Sequence, residues 1–193
     1  MKLPLILASS SPSRKMLLSK LDLAYTAISP DVDEQVFEGE KPRAHVIRLA
    51  KAKALKVAAD SAPALVIGCD SVCVLAGEIV SKPETHQEAV RQLKAASGTV
   101  VYFYSGLVLY NALTRKLQKK VIKTAVHFKT LSDKTIERYL KKDQPYNCAG
   151  SIKAEGLGII LVEKMQADDP NSLIGLPLLA LVEMLEHEGI EIL

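Results

Sequence analysis

The sequence predicts an α/β fold in which a mixed β-sheet is flanked by helices. Apolar runs with strand character alternate with segments of helical periodicity in the first part of the chain, which is typical of βα units. Two long β-rich runs, residues 99–111 and 116–129, are separated only by residues 112–115 and therefore predict an antiparallel hairpin. A chain of 193 residues with 48% hydrophobic content can bury a sizeable core. We expect one domain over residues 1–193.

The first predicted strand meets the first predicted helix in a loop of three serines and a proline. An apolar run over residues 3–8 stops there, and an amphipathic segment follows. Ser11 is a suitable N-cap, and Pro12 suits the first helical position because its missing N–H leaves no donor unpaired. The backbone N–H groups, hydroxyls such as that of Ser9, and the side chain of Arg14 would together bind an anion, most often phosphate. The commoner alternative is a capped turn with solvated cations.

An acidic loop follows the second predicted strand, Leu23–Ile28. Asp31, Asp33 and Glu34 lie within four positions of one another. Most acidic loops are solvated surface loops. The alternative is a divalent-metal site, because hard cations such as Mg²⁺ are held by one or two carboxylates together with substrate phosphates.

The next helix and the next strand each carry a charged residue at an apolar position. Residues 42–59 form a predicted helix in which Lys53 falls near the middle of the apolar face. The ammonium group must extend to the edge of that face or find an anion. The strand Ala64–Leu75 is apolar except around Asp70, which is therefore on an exposed strand edge, paired with a lysine such as Lys53, or functional. Gly68 favours function, because it indicates close approach of another backbone or a ligand.

The remaining predicted elements complete the α/β pattern. In chain order they are the strand Glu78–Val80, the turn Ser81-Lys82-Pro83, the helices Thr85–Ala96 and Ser132–Lys142, a glycine-rich loop over residues 148–158, the strand Ile159–Glu163, and a final helix packing through Leu178, Leu181, Val182 and Leu185. The glycine-rich loop carries Glu155 and would let a flat ligand approach the backbone closely.

Composition excludes several classes of protein. A net charge of +3 is too small to predict nucleic-acid binding, and no 18-residue apolar run predicts a membrane span. The N-terminus lacks a signal-peptide pattern. The three cysteines lack metal-ligand spacing, so Cys69 and Cys73 are expected to be reduced core residues. We therefore expect a cytoplasmic protein that binds neither nucleic acid nor membranes.

Several motifs, taken in order, resemble the Maf family of nucleotide pyrophosphatases. They are Ala8-Ser9-Ser10-Ser11-Pro12-Ser13-Arg14, Pro30-Asp31-Val32-Asp33-Glu34, Leu49-Ala50-Lys51-Ala52-Lys53-Ala54, Gly68-Cys69-Asp70-Ser71-Val72, Ser81-Lys82-Pro83, Cys148-Ala149-Gly150-Ser151, Asp169-Pro170-Asn171 and Ile174-Gly175-Leu176-Pro177. This ordered set spans nearly the whole chain and is highly specific. Within the family the chain is most similar to the bacterial branch that acts on 7-methyl-GTP. It departs from the family pattern at Ser13, where a close relative of that branch would have tryptophan, and at Ser81, where a glycine is expected.

The resemblance implies an enzyme that cleaves a nucleoside triphosphate to the monophosphate and pyrophosphate with a divalent cation, Mg²⁺ or Mn²⁺. It also implies an elongated α/β fold related to the inosine triphosphate pyrophosphatases, with two lobes around a cleft and often a homodimer. The positions carried over are Asp70 for the proton acceptor, Ser13, Ser71 and Glu155 for base preference, and Arg14, Glu34, Lys53 and Lys82 for the rest of the cleft.

Physical chemistry is consistent with those roles. Hydrolysis between the α- and β-phosphates requires a water aimed at the α-phosphorus and neutralisation of charge on the departing pyrophosphate. Asp70 can take the proton of that water, either directly or while holding a metal that acidifies it. Glu34 is the candidate for a further metal contact. The candidate phosphate-binding residues are Ser9, Ser11, Arg14, Lys53 and Lys82.

Glu155 bears on the choice of base. A carboxylate accepts two parallel hydrogen bonds, which fits the N1–H and N2 amino groups of guanine, and it favours a cationic 7-methylguanine further. Uracil and thymine offer one N–H between two carbonyls. The prediction is a 7-methyl-GTP pyrophosphatase. The alternatives are a dTTP or UTP pyrophosphatase of the same family, where an amide would be expected at position 155, and a nucleotide-sensing cell-division regulator with little turnover.

Overall fold

The computed structural model describes residues 3–193. The strands are β1 (Leu5–Ala8), β2 (Tyr25–Ile28), β3 (Leu65–Leu75), β4 (Glu78–Val80), β5 (Val100–Asn111), β6 (Lys116–Phe128) and β7 (Val162–Gln166). The helices are α1 (Pro12–Leu18), α2 (Pro42–Ala59), α3 (His86–Ala96), α4 (Asp133–Asp143) and α5 (Leu178–His187). The predicted mixed α/β fold is confirmed.

The sheet has a parallel part and an antiparallel part, as the sequence predicts. Its strand order is β2-β1-β3-β5-β6-β7, and β4 pairs with β3. Strand β1 is parallel to both β2 and β3, whereas β5 is antiparallel to β3 and to β6. The β5–β6 hairpin pairs in continuous register from Val100 opposite His127 to Asn111 opposite Lys116. The parallel part brings the carboxyl ends of three strands to one edge of the sheet.

Strand β3 extends beyond its parallel neighbour and leaves a gap in the sheet. Its pairing with β1 ends at Gly68, and its pairing with β4 begins at Cys73. Within residues 3–193, positions 69–72 therefore pair with β5 on one side and with no strand on the other. Asp70 and Ser71 lie in this gap, so their backbone has no strand partner on one side.

Two apolar clusters pack on either side of that gap. The first includes residues of β1, α1, β3 and α5, namely Leu7, Leu17, Leu18, Ile67, Leu181 and Leu185. The second includes residues of α3, β5, α4 and the segment before β7, namely Leu93, Phe103, Ile136, Tyr139, Leu140 and Leu161. These two cores form the two lobes that the family resemblance implies.

Helix α2 packs on the sheet at two glycines. A β-carbon added to Gly106 of β5 would lie 2.5 Å from the carbonyl oxygen of Val46, and one added to Gly68 of β3 would lie 2.9 Å from the β-carbon of Ala54. The close approach predicted at Gly68 is therefore that of a helix and not of a ligand. Because α2 lies so near the sheet, Lys53 can reach the strand that carries Asp70.

Three predicted boundaries are wrong. The first strand begins at Leu5 and not at Leu3, and the second begins at Tyr25 because residues 19–21 form a 3₁₀ turn that ends at Asp22 in the left-handed conformation. The strand predicted at residues 159–163 is largely a 3₁₀ turn, and β7 begins only at Val162.

Local hydrogen bonds explain the displaced strand. Gly158 donates its N–H to the carbonyl of Lys153 at 3.2 Å, and Leu157 donates to Asp143 Oδ2 at 2.9 Å. These bonds fold the chain back before it can extend. The sequence also predicts that the last helix packs through Val182. In the structure Val182 is half-buried, and Met184 is buried instead.

We predict that Gly106→Ala lowers the free energy of unfolding by about 1–3 kcal/mol, because the added methyl group forces α2 away from β5. Urea denaturation followed by circular dichroism measures this change. The matched control is Val100→Ile, which adds one carbon to the same strand at a position that is 40% exposed. Equal stability of the two variants would contradict the close packing at Gly106.

Candidate active site

A cleft of about 700 Å³ lies between the two lobes, and every residue assigned a site role from the sequence lines it. These residues are Ser9, Ser11, Ser13, Arg14, Glu34, Lys53, Asp70, Ser71, Lys82 and Glu155. The volume is within the range of small-molecule sites. Positions separated by as many as 146 residues along the chain thus meet in one cavity, and their individual roles stay predictions.

The serine loop forms one wall of the cleft. Ser11 caps α1 by accepting from the N–H of Arg14 at 3.4 Å, and Pro12 occupies the first turn, as the sequence predicts. Ser9 is buried and accepts from the N–H of Ser11 at 3.2 Å. Arg14 donates Nε–H to the carbonyl of Gly175 at 3.0 Å, with Nη1 3.5 Å from Ser9 Oγ. The guanidinium is therefore oriented by the fold, with other N–H groups left for a ligand.

Lys53, Asp70 and Glu34 form the charged centre of the site. The ammonium group of Lys53 lies 2.6 Å from Asp70 Oδ1 and 2.6 Å from Glu34 Oε1. The side chains of Lys53 and Asp70 are only 6% and 8% exposed, whereas that of Glu34 is 50% exposed. The salt bridge between Asp70 and Lys53, an alternative left open by the sequence, is thus present, and it lies inside the cleft.

The pKa of Glu34 is lowered although its carboxylate is partly buried. Partial burial acts to raise this pKa, but the hydrogen bond from Lys53 and the positive charges of Lys53, Lys82 and Arg14 together lower it. Three cations therefore act on one point of the cleft. Such a field favours the binding of phosphate groups.

Ser13 and Glu155 meet across the cleft. Ser13 Oγ donates to Glu155 Oε1 at 2.5 Å and so links α1 to the glycine-rich loop. Ser71, the third residue assigned to base preference, has a different partner. Its hydroxyl lies 2.9 Å from Ser105 Oγ, and Ser105 donates its own proton to the carbonyl of Ser172 at 2.7 Å.

Ser105 is a cleft residue that the sequence analysis missed. It lies directly opposite Ser71 in the β3–β5 register. The available signal was the pair Ser105-Gly106 within an apolar strand, which resembles the interruption at Asp70-Ser71. His45 and Gly175 also line the cleft. Gly175 lies in a motif of the family resemblance but was given no role, and nothing in the sequence context of His45 indicated a site.

The donor set fits a metal ion that shares its ligands with a substrate. Among the described residues there is no group of three or more His, Cys, Asp or Glu side chains that could hold a metal. The oxygens of Asp70 and Glu34, however, each lie 2.6 Å from the same nitrogen, so they are no further apart than twice that distance. Two nearby carboxylates match the usual Mg²⁺ arrangement, in which phosphate oxygens and water supply the other ligands.

Comparison with known proteins gives the family. The model of the family described as Maf-like protein matches residues 4–188. The chain belongs to the Maf-like family.

Curated relatives of this Maf-like protein share about half of its residues. The relative from Methylobacillus flagellatus is 52% identical over 98% of this chain and 99% of its own length. Those from Nitrosococcus oceani and Vibrio vulnificus are 49% and 47% identical over 98% of this chain and cover 95% and 97% of their own lengths. All three relatives carry the name 7-methyl-GTP pyrophosphatase.

None of the helices within residues 3–193 combines the length and the hydrophobicity that crossing a bilayer requires. Cys69 and Cys73 are buried and unbonded to each other, as predicted for reduced core residues.

We predict that Lys53→Met lowers the free energy of unfolding by about 3 kcal/mol, because it leaves the carboxylate of Asp70 buried without its cation. Adding Asp70→Asn to that variant restores part of the loss. Urea denaturation measures both changes. Lys56→Met is the control, because Lys56 lies on the same helix, is exposed, and faces Asp60 at 3.5 Å. An equal cost for Lys53→Met and Lys56→Met would contradict this account.

Proposed function

We propose that this Maf-like protein hydrolyses 7-methyl-GTP to 7-methyl-GMP and pyrophosphate. The observation that carries the proposal is the Lys53–Asp70–Glu34 cluster in the same cleft as Arg14 and Glu155. The cleft thus contains a carboxylate that can activate a water molecule and cations that can bind phosphates. It also contains a second carboxylate that can bind the guanine ring. The names of three relatives that match along nearly their whole length support the same substrate.

Asp70 is the proposed general base. It accepts a proton from the water whose oxygen attacks the α-phosphorus, while the bond from that phosphorus to the α,β-bridging oxygen breaks and pyrophosphate leaves. Asp70 lines the cleft at the gap of the sheet, where β3 has no strand partner on one side. The ammonium group of Lys53 lies 2.6 Å from this carboxylate and holds it in place within the cleft.

The phosphates would be bound by the serine loop and the three cations. The positive charges of Arg14, Lys53 and Lys82 all act at Glu34, so a triphosphate placed there meets a positive field. Lys53 contacts two carboxylates, those of Asp70 and Glu34, and would exchange one of them for a phosphate oxygen. Asp70 and Glu34 would hold Mg²⁺ or Mn²⁺, which supplies neutralisation of charge on the phosphates.

Base preference is assigned to Glu155 together with Ser13. The hydrogen bond between them fixes one carboxylate oxygen by a donor from α1. A second donor from the substrate, such as the N1–H or N2 amino group of guanine, can then bind the exposed carboxylate. Because Ser13 replaces an expected tryptophan, this protein recognises a cationic base through charge and hydrogen bonds more than through stacking.

A cytoplasmic location stays a prediction of the sequence. A homodimer stays a prediction of the family resemblance. The dTTP or UTP alternative is disfavoured by Glu155, whose carboxylate would repel the carbonyl oxygens of a pyrimidine.

We predict that the purified protein, with Mg²⁺ or Mn²⁺, releases pyrophosphate faster from 7-methyl-GTP than from GTP, ITP, dTTP, UTP or CTP at equal concentration. Asp70→Asn should lower kcat by about 10²–10⁴-fold with an unchanged circular dichroism spectrum, because the general base is lost. Asp168→Asn is the control, since Asp168 is exposed and outside the cleft.

Each other outcome of that panel has a defined meaning. A flat profile would retain the enzyme class and remove the assigned substrate. A near-normal rate for Asp70→Asn would reject Asp70 as the base. Tight nucleotide binding without pyrophosphate release would favour the sensing alternative.

We predict that Glu155→Gln lowers the ratio of kcat/KM for 7-methyl-GTP to that for UTP by about tenfold or more, because a charge-assisted hydrogen bond is lost. The comparison variant is Glu163→Gln, an exposed carboxylate on β7. An unchanged ratio would remove Glu155 from base recognition.

A further inference from the structure

Glu34 reaches the cleft from a segment without regular secondary structure. Residues 29–41 connect β2 to α2, and residues 33–39 are exposed. The Lys53–Glu34 ion pair holds this segment from inside the cleft. That contact is not permanent in the proposed reaction, because Lys53 is also assigned to a phosphate.

A second contact holds the same segment from outside the cleft. Glu40 Oε1 accepts from Arg48 Nε at 2.6 Å, and Glu40 Oε2 accepts from Arg48 Nη2 at 2.7 Å. This is a bidentate pair, the strongest geometry for an arginine and a carboxylate. The side chain of Glu40 is only 9% exposed. The end of the segment is therefore fixed to α2.

Arg48 also binds the residue next to Glu34. Its Nη2 donates to the carbonyl oxygen of Gln35 at 2.8 Å, and its guanidinium carbon lies 3.9 Å from the centre of the Phe37 ring. Gln35 in turn donates its N–H to Asp33 Oδ1 at 2.9 Å. One side chain of α2 thus contacts the segment at three points between Glu34 and α2.

His45 completes the anchor. Its Nδ1 lies 2.8 Å from Glu40 Oε2 and must donate there, because Glu40 is an acceptor. The hydrogen bond from Arg48 lowers the pKa of Glu40 most, whereas partial burial acts to raise it. Further hydrogen bonds from His45 and from the Phe37 N–H help to bring that pKa to about 2. Glu40 is therefore ionised at neutral pH, so its ion pair with Arg48 is present there.

Helix α2 supplies both contacts. Arg48 and Lys53 are five positions apart, which is about 140° around a helix, so they lie on different faces of α2. His45 and Leu49 of the same helix also line the cleft. The helix itself is fixed by its close packing on Gly68 and Gly106. A displacement of the segment is therefore resisted by a rigid element and not by another loop.

We propose that Arg48 and Glu40 are positioning residues for Glu34. They keep the carboxylate of Glu34 over the cleft when a phosphate takes Lys53, so that this carboxylate remains beside Asp70 to bind the cation. The proposal rests on the proposed function, since it assigns Lys53 to a phosphate and Glu34 to a metal.

The test is a double-mutant cycle between Arg48 and Glu34. Arg48→Met removes the anchor, and we expect kcat with 7-methyl-GTP to fall about tenfold, the Mn²⁺ concentration for half-maximal activity to rise about tenfold, and KM to change less than threefold. Glu34→Gln should lower kcat at least as much. If Arg48 acts through Glu34, the double variant is no slower than Glu34→Gln alone. Losses that multiply in the double variant would overturn the proposal.

Two further variants distinguish positioning from a general structural role. Arg48→Lys keeps the charge and can donate to Glu40, so its kcat should lie between those of the wild type and Arg48→Met. Arg43→Met removes an exposed arginine from the same helix and should leave kcat and the Mn²⁺ midpoint unchanged. A loss in Arg48→Met that Arg48→Lys does not relieve, or that Arg43→Met reproduces, would refute the assignment.

A fluorescence measurement tests the anchor without turnover. The chain has no tryptophan, so Phe37→Trp gives a single tryptophan beside Arg48, which can be excited selectively over the tyrosines. Adding Arg48→Met to Phe37→Trp should shift the emission to longer wavelength and raise acrylamide quenching about twofold. Unchanged emission and quenching would show that Arg48 does not hold the segment.

Failure of the proposed function is recognised separately. If the wild-type protein releases no pyrophosphate from any triphosphate, the assigned reaction is wrong. The same double-mutant cycle is then measured on the dissociation constant of 7-methyl-GTP in the presence of Mn²⁺. Non-additive effects of Arg48→Met and Glu34→Gln support the positioning role, and additive effects overturn it.

Discussion

The ion pair between Lys53 and Asp70 is the interaction on which the rest of the site depends. A carboxylate in the central strand of a sheet is costly to desolvate, and it is stable only with a cation at contact distance. That cation comes from α2, and α2 can approach only because Gly68 and Gly106 have no side chain. One electrostatic requirement in β3 therefore determines residue size in two strands and the position of a helix.

The site lies where it does because three parallel strands end at the same edge of the sheet. The serine loop follows β1, the acidic segment follows β2, and Asp70 lies in β3 just beyond the last residue paired with β1. Ligands of open α/β sheets bind outside the carboxyl ends of their strands. Here the gap between β1 and β4 adds strand backbone without a β-partner on that side, and the two lobes close around it.

The charges of the site are paired with one another in a way that suits exchange with a substrate. Lys53 contacts both carboxylates, and Glu34 is also within the field of Lys82 and Arg14. Phosphates would replace carboxylates around the cations, and a metal ion would replace cations around the carboxylates. No polar side-chain atom buried within residues 3–193 lacks a hydrogen-bond partner, so the site is satisfied before any such exchange.

The sequence by itself determined the fold class, most element boundaries and ten of the residues that line the cleft. Its periodicities identified the helix around Lys53, the hairpin and the capped start of α1, because these depend on local patterns of apolar and capping residues. It also marked Lys53 and Asp70 as charges at apolar positions. The tertiary structure alone decided that these two charges pair with each other, that Ser13 meets Glu155, and that Ser105 lies opposite Ser71. It also decided that the chain turns at Gly158 and that Arg48 anchors the segment of Glu34. These contacts depend on how separate elements pack against one another or on a turn fixed by hydrogen bonds. Packing and turns of this kind produce no periodic pattern of apolar residues, so the sequence alone does not predict them.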